Sequence, residues 1–211
     1  ATSPAIQQAT VQAIAHANTF LNPMGLATTH ETSTSDLLDE WVALPNPTGD
    51  DDTYLSLHQY REPDEVLVII GDQITIADTI GAVHGIAGNI PGTLTSANRG
   101  LVILSWLSHS GQDGTFSSSE TELMGETIAH ELSHYFGLYH PMDDSTGTLE
   151  SFDLYDNIDD TPECETAAEC EDLLGTNLMF PYTLCSGTSC IQQIQLTPHQ
   201  VAVSNRYTGV Q

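Results

Sequence analysis

The stretch HELSHYFGLYH, His130 to His140, constrains this chain more than any other segment. It sets three histidines and a glutamate within eleven residues of a sequence that has no lysine. His130 and His134 are four residues apart, so on a helix they share one face. Glu131 lies about 100° round from His130, poorly placed as a third ligand but well placed to hold a water beside the pair. Met124, Ile128, Leu132, Tyr135 and Phe136 recur on the opposite side, which predicts an amphipathic helix with its buried stripe away from the histidines. Gly137 can take a positive φ, end the helix and turn the chain so that His140 returns to the first two histidines. Imidazole nitrogens reach zinc at about 2.0–2.1 Å, and three of them leave a fourth position for water, the donor set of catalytic rather than structural zinc. In H-E-x-x-H the glutamate is the general base.

Charge narrows the partners. Twenty-nine acidic side chains face three arginines, Arg61, Arg99 and Arg206, for a formal net charge of −26. Phosphate contacts need a basic surface, so nucleic acid is excluded as a partner, and anionic membranes are disfavoured for the same reason. The bland reading of the excess is a solvated surface suited to a salty medium; the functional one is attraction of cationic substrates or calcium. No apolar run approaches the roughly 18 residues that span a bilayer. The chain begins at Ala1 without a basic or apolar leader, as expected of a processed mature form or a trimmed chain.

At 211 residues the chain fits a single domain, 1–211, with a sizeable core and two lobes, about 1–137 and 138–211. Pro4 to Leu21, preceded by Thr2 and Ser3 as capping residues, predicts a first helix that buries Ile6, Ala9, Ala13 and Phe20, with Val11 and Ile14 nearby. Residues 31–53, with Pro45, Pro47 and Gly49, predict a loop anchored by Trp41, Val42 and Leu44. The β-branched run from Val66 predicts a central strand, Leu101–Trp106 a second buried strand, and the glycine-rich segment between them an irregular edge strand. His84 and His109 read as isolated structural histidines, and His16 as a surface or satisfied one. The long helix is expected from Ser119, with Ser119 and Glu122 as a capping box and Glu120 and Glu126 near its positive end. Beyond His140 the pattern predicts little regular structure except a short helix near Thr197–Arg206. The fold class is therefore α/β, or α+β, followed by an irregular tail.

Cys164, Cys170, Cys185 and Cys190 all fall in that tail, at spacings unlike the C-x2-C pairs of a zinc ribbon. An even count in a loop-rich segment favours disulfides and an oxidising, extracellular compartment. Four cysteines allow three connectivities, and local loops close at the lowest entropic cost, which favours Cys164–Cys170 and Cys185–Cys190.

The full string His130-Glu131…His134…Gly137…His140 resembles the metzincin zinc endopeptidases. T-N-L-M-F-P offers Met179 for their methionine-bearing turn. DNIDDTPEC, the cysteines around that turn and LTPHQVAV look most like the pappalysin branch. The resemblance covers about residues 120–205. It implies a mixed twisted sheet with two long helices in an N-terminal lobe, a disulfide-bearing C-terminal lobe and an active-site cleft between them. It also implies His130, His134 and His140 as ligands of one catalytic zinc, Glu131 as the base that activates its water, and Met179 as a buried floor. Asp156 and Thr161, with carbonyls near Ile158, match calcium ligands of that branch, and the branch favours a longer-range disulfide pairing as the runner-up. Two departures stand out: the position two residues after Met179 is Pro181, with the tyrosine displaced to Tyr182 as the candidate oxyanion contact, and Pro141 follows His140 as in serralysins. The function implied is a secreted, monomeric endopeptidase acting on protein or peptide substrates laid along Gly85–Pro91. The alternative is a catalytically silent zinc-binding interaction module of the same fold.

Overall fold

Alternation of apolar residues along one strand organises the larger core. In the computed structural model, which describes residues 4–26, 43–45, 65–75, 83–92, 100–111, 114–144, 152–186 and 189–208, β5 (Leu101–Ser105) is buried along its whole length. Successive side chains of a strand point to opposite faces. Val102 and Leu104 accordingly join the core formed with the two long helices, while Leu101 and Ile103 join a second cluster with Ile69 and Ile74 on the other face. β2 (Leu67–Gly71) runs parallel to β5 in matching register, Val68 opposite Val102 and Ile69 opposite Ile103. β4 (Gly85–Ala87) runs antiparallel on the other side. The order β2-β5-β4 makes this a mixed sheet with β5 in the middle. The strand predicted as central, from Val66, instead sits at the side of β5. Its residues are only partly buried apart from Ile69, whereas β5 has both faces covered. β3 (Gln73–Thr75) follows β2 directly and pairs in parallel with β1 (Ala43–Pro45).

β1 lies inside the segment predicted as loop, with Pro45 at its end, a position a strand tolerates. Thr2, Ser3, Trp41, Val42 and most of residues 31–53 lie outside the described residues.

Helix α1 (Pro4–Leu21) buries Ile6, Ala9, Ala13, Ala17 and Leu21. Phe20 is only partly buried and Val11 is exposed. The small residues let α1 approach α3 (Ser118–Tyr135) closely: a Cβ added at Gly125 of α3 would meet the Ala13 carbonyl at 2.7 Å. Between β5 and α3 lies one turn of helix, α2 (Trp106–His109), capped by Ser105. Trp106, expected to end the strand, opens this turn. α3 begins earlier than predicted, because the box that closes is Ser117 with Glu120 and not Ser119 with Glu122. Ser117 accepts from Glu120 N at 3.3 Å, and Glu120 Oε2 accepts from Ser117 N at 2.7 Å. Such a cap contributes about 1 kcal/mol.

The C-terminal part is more regular than the sequence suggests. α4 (Ala167–Leu174), capped by Thr166, was not predicted. Two short antiparallel pairs, β6–β7 (Met142–Asp143 with Leu154–Tyr155) and β8–β9 (Cys185–Ser186 with Ser189–Cys190), flank it. α5 (Pro198–Thr208) ends the described chain. Met142, Phe152, Cys164, Cys170, Leu174 and Phe180 form a core of their own. Cys164 is bonded to Cys170 inside it, and Cys185 to Cys190 across the β8–β9 pair. Among the described residues no helix is long and apolar enough to cross a membrane.

Candidate metal centre

The end of α3 brings the three histidines together. Gly137 takes φ 96°. Its N–H donates to His134 O at 2.9 Å and the Leu138 N–H to Ser133 O at 3.0 Å. These are the paired bonds of a Schellman stop, which needs a left-handed residue at that point. The chain reverses and His140 Nε2 arrives 3.0 Å from His134 Nε2 and 3.3 Å from His130 Nε2.

Each ring is fixed from behind. His130 Nδ1 donates to Leu178 O at 2.6 Å and His134 Nδ1 to Leu138 O at 2.6 Å. His140 Nδ1 faces Asp143 Oδ2 at 3.2 Å. Carbonyls only accept, so the protons of neutral His130 and His134 sit on Nδ1, and their Nε2 atoms carry bare lone pairs turned toward His140 Nε2. Burial pushes His130 down to about 3, helped by the neighbouring His140 ring and opposed by the Leu178 carbonyl. Burial holds His134 well below its ordinary value as well. Lone pairs at this distance repel one another unless a cation lies between them. Their spacing matches the edge of about 3.3 Å of a tetrahedron whose centre is 2.0–2.1 Å from each nitrogen. His130, His134 and His140 can therefore hold a metal ion.

Glu131 is buried beside them, and burial pushes its carboxyl up to about 8 against the pull of a backbone hydrogen bond from Ala87. β4 comes so close that a Cβ at Gly85 would meet Glu131 Cγ at 2.7 Å. Only glycine fits there. Alongside lies a cleft of about 420 Å³, whose walls include His84 and Gly85 on the β4 side, Glu126, His130 and Glu131 on α3, and Tyr182 opposite.

Met179 is fully buried, in the same cluster as Ala129, Leu132 and Leu138. Its turn is built by Asn177, whose Oδ1 accepts from Met179 N at 2.8 Å and whose amide donates to Gln200 Oε1 at 3.0 Å. The Leu178 carbonyl that this turn presents is the one holding His130. Tyr182 reaches the cleft, but its ring packs edge-on to Phe180 and stacks over Phe152, and its buried hydroxyl has no hydrogen-bond partner among the described residues.

Asp156 and Thr161 are brought together next to a hollow of about 500 Å³ beside Pro141. Thr161 donates to Asp156 Oδ1 and lies 2.6 Å from the Ile158 carbonyl, leaving Asp156 Oδ2 buried without a hydrogen-bond partner among the described residues.

Several residues take places that their reading from sequence did not give them. Asp143 orients His140 through a contact that no motif marks. Glu126, expected near the helix start, lies in the third turn and faces the cleft, where Gln193 joins it. His84 and His109 are not isolated: their rings lie 4.7 Å apart. His109 is fixed by Ser105 O at 2.5 Å and Thr127 Oγ1 at 2.9 Å, while His84 lines the cleft. His16, read as surface or satisfied, has a buried Nε2 with no hydrogen-bond partner among the described residues.

No family model matches the chain, and no curated protein matches it either.

Proposed function

We propose that the chain is a zinc-dependent endopeptidase with a metzincin-like fold, closest in its motifs to the pappalysins. The observation that carries this reading is the convergence of three Nδ1-anchored imidazoles at their Nε2 atoms, beside a buried glutamate at the edge of a cleft. Zinc suits neutral imidazole donors, and when bound it polarises a carbonyl and acidifies a water. Glu131 takes the proton from the attacking water and delivers it to the nitrogen of the leaving amine, so that no covalent intermediate with the chain is needed. β4 lies at the side of its sheet, and an extended substrate would pair with it there. Gly85 lets that strand lie against Glu131, which brings the scissile bond close to the base. Met179 stiffens the floor, since its turn holds the carbonyl that orients His130. Tyr182 is a wall residue of the cleft in this account.

The two disulfides support a secreted protein working outside the cell, and in this reading it acts as a monomer on protein or peptide substrates. A structural calcium is proposed at Asp156, Thr161 and the Ile158 carbonyl, oxygen donors of the kind that ion takes.

Glu131→Ala tests the mechanism. The three histidines still hold one zinc, and cleavage of casein falls by about 10²–10⁴-fold, the usual scale of general-base loss. A Glu131→Ala protein that cuts at the wild-type rate sinks the assignment. A wild type that holds zinc and cuts no peptide identifies a binding module instead.

A further inference from the structure

A buried carboxylate that the chemistry above does not use stands one helical turn before His130. Glu126 is 6% exposed and Gln193 is 8% exposed. Glu126 Oε2 accepts from the backbone N–H of Gln193 at 3.1 Å. The Gln193 side chain in turn donates from Nε2 to the Tyr182 carbonyl at 3.0 Å. Both partners lie on the chain that leaves the Met179 turn, forms the far wall of the cleft at Pro181–Thr183, and returns at Gln193. Between them the segment is closed by the bond from Ile191 N to Leu184 O at 2.8 Å and by the Cys185–Cys190 bridge.

We infer that Glu126 is a positioning residue: through Gln193 it ties the far wall of the cleft, Pro181–Thr183, to the helix that carries His130 and Glu131, and so sets the width of the cleft. This deepens the endopeptidase reading and rests on it for its consequence in catalysis. Three observations converge on the assignment. First, a carboxylate desolvated beside a cleft is costly unless it accepts hydrogen bonds, and burial indeed pushes the Glu126 carboxyl up. A position needed only for packing would be served better by an apolar residue. Second, a hydrogen bond from a backbone N–H to a carboxylate is charge-assisted and directional, so it fixes Gln193 more sharply than packing could. Third, the chain of contacts is continuous: α3, then Glu126, then Gln193, then Tyr182. It bridges two segments that lie 67 residues apart in sequence and face each other across the site. Glu126 acts here through the wall it holds and not through the reacting atoms.

The test compares Glu126→Ala with Glu126→Gln in the zinc-loaded, disulfide-intact protein. Amide hydrogen exchange at Gln193 and Tyr182–Leu184 reads the clamp itself and needs no activity. Glu126→Ala speeds exchange there by 10-fold or more, while bound zinc stays at the wild-type level. Its KM for an extended peptide rises by about 10-fold, with a smaller change in kcat. Glu126→Gln, whose amide oxygen can still accept from Gln193 N–H, restores most of the protection and most of the KM. Unchanged protection in Glu126→Ala overturns the inference. So does a Glu126→Gln variant as impaired as Glu126→Ala, because the charge and not the bond would then matter, as it would for direct contact with a cationic side chain. Loss of zinc in Glu126→Ala also overturns it, by moving the residue into the metal centre. If the wild type cuts no peptide, the endopeptidase reading fails on that result alone, and the exchange measurement still decides whether the clamp exists.

Discussion

At the scale of single residues, the protons on the three histidines matter as much as the nitrogens that converge. His130 and His134 are oriented by backbone carbonyls, which substitution cannot remove. His140 is oriented by Asp143, a side chain that is 57% exposed. An exposed pair of this kind adds little to stability, so its effect should appear in the metal site. Losing the partner of a metal-binding histidine typically costs 10–100-fold in affinity, and solvent exposure places Asp143 near the lower end. Asp143→Ala is therefore expected to weaken zinc binding about 10-fold in a competitive chelator titration, with the melting temperature almost unchanged. An unchanged affinity would show that water replaces the carboxylate fully. The histidines and Glu131 are legible in the sequence because one helical turn and one stop bring them together locally. Asp143 and the Leu178 carbonyl are not, because each depends on where the chain goes after it leaves α3.

Among the elements, the C-terminal end of α3 carries the most function per residue. Gly137 stops the helix, the turn it makes presents the Leu138 carbonyl to His134, and two residues later His140 arrives. An L-residue in left-handed conformation costs about 1–2 kcal/mol. For a chain of this size 1 kcal/mol corresponds to roughly 2–4 °C. Gly137→Ala should thus lower the melting temperature by roughly 2–8 °C and weaken zinc binding with it. If melting temperature falls while zinc affinity holds, the turn is not what sets His140. This stop was legible, since glycine at that spacing has few other uses. α4 was not, because AAECEDLL is only two turns long and buries just Cys170 and Leu174, too few positions to establish a period. A usable signal was present in Thr166 and Glu169, which cap the helix start. The capping box of α3 was misplaced for a different reason. Three consecutive serines, Ser117 to Ser119, precede two glutamates at matching spacing, and only the packing of the helix chooses between them. The centre of the sheet was misassigned because β2 and β5 are both apolar runs, and sequence alone does not say which one has neighbours on both sides.

For the whole molecule, a formal charge of −26 acts on stability more than on any one contact. Like charges across a compact surface favour expansion, and the screening length falls from about 30 Å at 0.01 M salt to about 3 Å at 1 M. The melting temperature should rise by at least roughly 2–4 °C over that range in sodium chloride, equivalent to about 1 kcal/mol of relieved repulsion. A flat profile would mean that the carboxylates are spaced too widely to repel. Of the three apolar cores, the one between α1, α3 and the sheet draws on residues far apart in the chain. Leu178 and Met179, well into the C-terminal part, belong to the first core. Sequence periodicity reports which residues are buried, but not with which partners, so the place of this turn is legible only through the resemblance that T-N-L-M-F-P carries.

The central claim is that His130, His134 and His140 hold one zinc and that peptide cleavage depends on it. The direct measurement strips the protein with a chelator and titrates zinc back, while bound metal and casein cleavage are followed together. Both are expected to rise in parallel and level off at one zinc per chain, and His134→Ala should recover neither, because two imidazoles make a poor site. Full cleavage by the stripped protein, or a His134→Ala variant that binds zinc and cuts as the wild type does, would contradict the account.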